Sequence, residues 1–353
     1  MSQHRPQLPG MTLTDLEKCL ADWGEPRYRA AQIMNWRNKG VTSPAEMLNI
    51  PARLRERLHE KVECEPLSLE RRQVSADGTR KYLFTLQSSG KAMETVFIPE
   101  TGRGTVCISS QLGCVLDCPF CYTGTQGFTG NLSAGEIVAQ ILAVKRSLLS
   151  DPPAQDLCRT VTHIVYMGMG EPLANEPGVH GSLGIINSRE GLNISRRRIT
   201  VSTSGLIPQI ARLGADFPVN LAISLHAATD ELRNVLVPVN RKYPLKQLRQ
   251  CLNTYPLGKQ RHITLEYVML AGVNDRPEDL RALARFVNPE RERVNLISFN
   301  PYPGNPYTGS SKEHMNRFAK DLIKKGIRAT VRRSRGQDIM AACGQLKADI
   351  AGI

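Results

Sequence analysis

The chain has 353 residues, of which 41% are hydrophobic, and a formal net charge of +13. That length admits one large domain with a small one, and no apolar run approaches membrane-spanning length. Nine cysteines, an odd number, do not describe a secreted disulfide framework, and the polar residues 1–10 have no hydrophobic segment of signal-peptide type, so a reducing cytoplasm is the expected location. The excess of Lys and Arg argues for a polyanionic partner. Basic residues cluster at Arg71-Arg72, Arg80-Lys81, Arg196-Arg197-Arg198, Arg241-Lys242, Lys324-Lys325 and Arg332-Arg333 with Arg335. Any one cluster reads as a solvated face. Their sum favours nucleic acid, because counterion release rewards many dispersed cations.

From residue 11 to about residue 61 the pattern is helical. Thr12 or Thr14 can cap a first helix ending at Gly24, a second carries Tyr28, Ile33, Met34 and Trp36, and Ser43 or Pro44 opens a third. Residues 1–65 are therefore expected to form a small helical accessory module that caps the larger domain or contacts RNA. The period then changes from 3.6 to 2. Residues 82–86 and 93–98 predict two strands joined by a turn at Ser88-Ser89-Gly90, so that residues 66–100 read as a β-hairpin linker. Glu94 shares a strand face with Ala92, Val96 and Ile98. On an apolar face its pKa should rise unless it is paired, which suits a general base. A rim Glu pointing to water explains it equally well.

The next strand leads into Cys114-x-x-x-Cys118-x-x-Cys121, a loop that also carries Gly113, Asp117 and Pro119. Three thiolates on so short an arc can converge on one soft metal centre. No fourth local Cys or His closes a zinc tetrahedron. A four-iron cluster held by three cysteines keeps one iron open for a small-molecule ligand. The alternative, three unrelated buried cysteines, sits badly with the polar and turn-forming residues of the loop.

Residues 101–353 then alternate between strand and helix. Strands are expected at 105–109, 163–167, 198–203, 220–225, 263–269 and 294–299, with a further one at 329–333. Helical stretches between them include 133–149, 206–213, 245–252 and 278–287. The expected fold is α/β, a parallel sheet curled into a partial (β/α)6 barrel, with ligands at the carboxyl ends of its strands. Those ends carry Met-Gly-Met-Gly170-Glu171-Pro, then Ser202-Thr-Ser-Gly, Ser224-Leu225-His226 and Asn300-Pro-Tyr-Pro-Gly. Each alone reads as a turn or cap. As a ring they outline a nucleoside-sized pocket in which Glu171 can take an ammonium group. Near the C-terminus, Cys343 lies between Ala342 and Gly344 after a basic run, an arrangement that suits chemistry on sulfur unless it is simply a buried Cys.

Taken together, Cys107-x-Ser-Ser-Gln-x-Gly-Cys114-x-x-x-Cys118-x-Phe-Cys121, the Met-Gly-Met-Gly-Glu-Pro run, Ser-Thr-Ser-Gly, Ser-Leu-His and Ala-Ala-Cys343-Gly-Gln-Leu resemble the RlmN/Cfr family of radical S-adenosylmethionine (SAM) RNA methyltransferases over essentially the whole chain. The resemblance implies that Cys114, Cys118 and Cys121 hold a [4Fe-4S] cluster and that Gly170, Glu171, Ser202, Ser224, Leu225, His226 and Asn300 bind SAM, with two SAM consumed per turnover. It implies methylation of C2 of adenosine 2503 in 23S rRNA and of adenosine 37 in tRNA. Cys343 would carry the carbon as S-methylcysteine, Glu94 would accept the C2 proton, and Cys107 would release the product by forming a Cys107–Cys343 disulfide. A flavodoxin-like electron donor, a disulfide reductant, no membrane partner and a monomeric state go with that reading. Tyr122, directly after the last ligand, is bulkier than the small residue expected there. Rival readings are a Cfr-type enzyme acting at C8, a glycyl-radical activase, which needs neither Cys107 nor Cys343, and a non-catalytic Fe-S RNA-binding protein.

Overall fold

The computed structural model describes residues 5–348. Three helices come first, α1 (Leu13–Ala21), α2 (Tyr28–Asn38) and α3 (Ala52–Lys61). Thr12 caps α1 in a reciprocal box: its side chain accepts from Asp15 N–H while the Asp15 carboxylate takes the Thr12 N–H. The chain turns away at Gly24, in the left-handed region at φ 73°. Ser43 and Pro44 open only a single 3-10 turn, Pro44–Glu46, and the third helix starts eight residues further on behind Pro51. Leu16, Leu20, Ile33, Leu54 and Leu58 are fully buried in a cluster of their own, separate from the main core. Within it Arg37 is 1% exposed and donates to the Leu8 and Met11 carbonyls.

Twelve strands follow among the described residues: β1 (Leu67–Val74), β2 (Arg80–Leu86), β3 (Ala92–Glu100), β4 (Arg103–Ile108), β5 (Gln111–Gly113), β6 (Phe128–Asn131), β7 (His163–Tyr166), β8 (Ile199–Thr203), β9 (Asn220–Ser224), β10 (Ile263–Met269), β11 (Glu292–Ser298) and β12 (Ala329–Arg332). Ten of them form one sheet in the order β1-β2-β3-β4-β7-β8-β9-β10-β11-β12, while β5 and β6 pair separately. The six expected parallel strands are all present, β12 adds a seventh to the same parallel run, and β1 to β3 extend the sheet antiparallel. The expected hairpin is thus continuous with the barrel sheet through β3 and β4. Helices α4 (Tyr122–Thr125), α5 (Ala134–Ser150), α6 (Glu176–Asn187), α7 (Ile207–Asp216), α8 (Asp230–Leu236), α9 (Leu245–Thr254), α10 (Pro277–Phe286) and α11 (Lys312–Lys324) lie between strands. Fully buried apolar residues such as Val106, Ile164, Val201, Leu221, Leu265 and Leu296 sit on the outward side of the strands, against the helices. The alternate residues line hollows shared by β3, β4, β8 to β12, so the sheet curls around its inner face although its edge strands do not pair.

Candidate active site

The carboxyl ends of the parallel strands surround a cavity. Cys107, Cys114, Cys118, Cys121 and Cys343 all line it, as do Gly170, Glu171, Ser202, Ser224 and His226. The cysteine loop is shaped by glycine: Gly113 has φ 74°, and a Cβ there would lie 1.6 Å from the Gly127 carbonyl oxygen. Cys114 N–H donates to that same carbonyl, and Leu116 N–H points at Cys114 Sγ at 3.4 Å. Burial pushes the Cys114 thiol up to about 12, and it raises Cys118, which the neighbouring Cys121 and Cys114 raise further; burial also raises Cys121. Three crowded, dehydrated sulfurs carry negative charge only with a compensating cation among them. Among the described residues, no three His, Cys, Asp or Glu side chains converge as ligands of a single metal ion. A four-iron cluster has a different demand, since it offers each thiolate its own iron.

Glycines at the end of β7 serve packing. A Cβ on Gly168 would meet Ser109 Oγ at 2.7 Å, and one on Gly170 would meet Gln111 Cβ at 2.5 Å. Glu171 is buried and accepts N–H bonds from Leu173 and Ser204; burial raises its pKa despite those bonds. A buried carboxylate of this kind is favoured in its ionised form by a cationic partner. Ser202 and Ser224 stand at the ends of β8 and β9. Arg233, completely buried on α8, ties these ends together by donating to the Ser204 and Leu225 carbonyls, and burial brings its pKa down to about 10. Sequence reading overlooked Arg233, whose place beneath the site is set by contacts across three elements.

His226 has φ 57° and is buried, and burial lowers its pKa to about 3, so its ring is neutral. Val268 N–H donates to Nδ1, which leaves the proton on Nε2. Phe120 stands edge-on to the ring, with centroids 4.8 Å apart. Leu225 differs from its neighbours: its side chain is fully buried in the main core, its N–H donates to the Glu266 carbonyl and its own carbonyl accepts from Arg233. Asn300 also lies off the cavity lining. Its amide donates to the Cys343 carbonyl and accepts from Gln337, so it holds the C-terminal segment.

Glu94 is 1% exposed on β3, and its carboxylate lies outside the residues lining the cavity. It pairs with Lys81 Nζ at 3.0 Å and accepts from Lys347 N–H at 3.0 Å. Burial raises its pKa and Lys81 opposes the rise. The rim reading is thereby excluded. Val96, two residues along the same face, lines the cavity and pairs in register with Cys107. Cys107 is pushed up to about 12 by burial and then by Cys343; Cys343 is pushed up to about 11 by burial and drawn down by Arg332. Tyr122 stacks on Tyr302 at 4.4 Å with Lys347 Nζ over its ring, so its bulk is absorbed by the C-terminal segment.

A family model for the radical SAM superfamily matches residues 108–287, and one for the ribosomal RNA large subunit methyltransferase N-terminal domain matches residues 7–64. A dual-specificity RNA methyltransferase RlmN of Parvibaculum lavamentivorans is 47% identical over 98% of this chain and 90% of its own length. Its counterpart in Methylobacterium radiotolerans is 46% identical over 98% of this chain and 87% of its own. The chain belongs to the RlmN family of radical SAM enzymes. The crystal structure of a radical SAM methyltransferase from Sphaerobacter thermophilus is 44% identical, with a TM-score of 0.92 over 98% of this chain and all of that one. An RlmN-family enzyme implies a [4Fe-4S] cluster and SAM, and the donor set fits both: three cavity thiols for the cluster, and Glu171, Ser202, Ser224 and His226 for a polar ligand beside it.

Proposed function

We propose that this protein methylates C2 of adenosine 2503 in 23S rRNA and of adenosine 37 in tRNA, working in the cytoplasm through S-methylcysteine at Cys343 and release by Cys107. The observation that carries the reading is the meeting of Cys107 and Cys343, distant in sequence, in the cavity that Cys114, Cys118 and Cys121 line. Adenine C2 is an electron-poor sp² carbon without nucleophilicity, so it cannot itself displace a methyl group. A cluster held by Cys114, Cys118 and Cys121, with SAM beside it, supplies a methyl electrophile and a one-electron hydrogen abstraction, at two SAM per turnover.

The chain's own residues do the rest. Glu171 receives the SAM ammonium, while Ser202, Ser224 and the His226 Nε2–H offer hydrogen bonds. Cys343 accepts the methyl carbon on sulfur and later joins it to C2. Glu94 takes the C2 proton, for which a buried carboxylate with a raised pKa is suited. In the present conformation Lys81 and Lys347 occupy that carboxylate, so the C-terminal segment must shift before Glu94 acts. The Cys107 thiolate then attacks Cys343 sulfur and breaks its bond to carbon; the bonding pair leaves on the carbon attached to C2, which takes up a proton to become the methyl group, and the disulfide left behind is reopened by an external dithiol. The test is anaerobic reconstitution with iron and sulfide, turnover on rRNA and tRNA, and mass spectrometry of the digested nucleosides. The expected product is 2-methyladenosine; 8-methyladenosine, or SAM consumption without modified RNA, overturns the reading.

A further inference from the structure

A second hollow, of about 630 Å³, lies along the inner face of the curled sheet, from Arg103, Thr200 and Arg293 near the amino ends of β4, β8 and β11 to Arg333 just past the end of β12. Its wall is made by the same inward-facing alternation one layer lower: Thr105 on β4, Thr200 on β8, Thr264 on β10, Asn295 on β11 and Thr330 on β12. Closed barrels fill this layer with branched aliphatic side chains. Here it is hydroxyl-rich, open, and within the volume range of ligand sites. Five guanidiniums, from Arg103, Arg293, Arg332, Arg333 and Arg335, face it against the two carboxylates of Glu100 and Glu266.

These cations are only partly used. Arg103 and Arg293 each spend one Nε–H on a threonine of the wall, and Arg335 reaches Asp77 and Glu100 only at 3.8 and 3.9 Å. Arg333 is exposed and makes no hydrogen bond or ion pair among the described residues. The amino end of the sheet carries exposed Arg196, Arg197 and Arg198 immediately before β8, and exposed Arg328 before β12. Cys343 lines both this hollow and the cavity at the carboxyl ends, and it is exposed whereas the other cysteines are not.

We propose that this second hollow is the port through which RNA presents its target adenine, with the phosphates on either side held by the arginines around it. The proposal rests on the RNA-methylation reading and names the surface that the reading lacks. An adenine must leave its stack to expose C2 to a sulfur. The hollow offers it threonine hydroxyls and the Asn295 amide, which suit base edges and a ribose 2′-OH. Guanidiniums are the matching partners for the flanking phosphates. Cys343 lies where the two hollows meet, so it is loaded from the cofactor side and unloaded on the opposite side. Base and SAM then never compete for one space.

The experiment uses cluster-loaded full-length protein, held anaerobically, and a fluorescein-labelled 23S rRNA hairpin containing the target adenosine. Binding is read by anisotropy across a salt series, and Cys343 alkylation by iodoacetamide is read by mass spectrometry with and without RNA. The Arg103→Gln, Arg293→Gln and Arg333→Gln triple variant is expected to bind at least about tenfold more weakly. Its log–log salt dependence should flatten by about 0.7–0.9 for every phosphate that is no longer neutralised. Arg241→Glu with Lys242→Glu, at the carboxyl end, should bind as wild type. RNA should slow Cys343 alkylation in the wild type and not in the triple variant. Binding that survives the triple variant, or falls with Arg241 and Lys242 instead, or leaves Cys343 alkylation unchanged, overturns the port. A wild-type protein with no affinity for the hairpin overturns the RNA reading along with it.

Discussion

Cys343 opens onto both hollows and is exposed, within reach of charges of both signs. Burial pushes its pKa up to about 11, Arg332 draws it down, and Glu266 raises it again. At neutral pH the thiol form dominates, and the nucleophilic thiolate grows about tenfold per pH unit until the pKa is passed. Methyl transfer onto Cys343, followed as mass gain on its peptide, should therefore accelerate steadily from pH 7 to pH 9. Arg332→Gln should slow it several-fold at pH 8 by removing the group that favours the anion. A rate flat across that range would mean that another group removes the proton first. Glu94 follows the same sign at lower pH. A base works only when ionised, so activity is lost as pH falls through its raised pKa, and Lys81→Met, which deletes the opposing cation, should move that loss to higher pH. An unmoved acid limb in the RNA methylation profile would show that Glu94 is not the proton acceptor.

At the level of elements, the decisive piece is the segment from residue 333 to residue 348, which has no regular structure beyond the 3-10 turn Gln337–Ile339. Side chains fix it from three directions. Thr123 Oγ donates to the Leu346 carbonyl, Gln345 donates to the Pro301 carbonyl while accepting from Ala342 N–H, and Asn300 donates to the Cys343 carbonyl. Gly336 and Met340, at φ 63° and 53°, turn the chain sharply around the 3-10 turn, and for Met340 that conformation costs about 1 kcal/mol. A segment tied by individual side chains rather than by a ladder is one that can move and then return. Gln345→Ala leaves two polar groups unpaired, at about 1–2 kcal/mol. Amides of the segment should exchange faster in that variant by roughly tenfold while those of β7 to β10 are unchanged. Equal exchange in variant and wild type would place the restraint elsewhere.

For the molecule as a whole, the N-terminal helices keep their own core and touch the barrel through polar contacts, such as Asn38 to the Glu190 carbonyl and Arg146 to Glu46. Arg37→Ala strips two buried carbonyls of their donor, which should cost about 2–4 kcal/mol. In a denaturant titration the module should then unfold before the barrel; a single coincident transition would show that the two are thermodynamically one unit. The parallel strands were legible because each is a short apolar run with turn residues at its end, and those ends carry Glu171, Ser202, Ser224 and His226. Strand β1 was not, since Leu-Ser-Leu-Glu-Arg-Arg-Gln-Val sets three consecutive charges, Glu70, Arg71 and Arg72, across both faces and leaves little apolar alternation. The partners of Glu94 and Asn300 were equally hidden. Lys81 lies on a neighbouring strand, and Lys347 and Cys343 lie hundreds or tens of residues away, so only the fold brings them together. Leu225 matched its motif by position, yet its side chain packs into the core.

The most direct test of the two-cysteine pathway is the Cys107→Ala variant, loaded with its cluster and turned over once on substrate RNA. It should accumulate protein covalently joined to RNA through Cys343, seen as a gel-shifted species and as a nucleotide adduct on the Cys343 peptide, with no free methylated RNA. Free methylated RNA at the wild-type yield, without that adduct, would contradict the account.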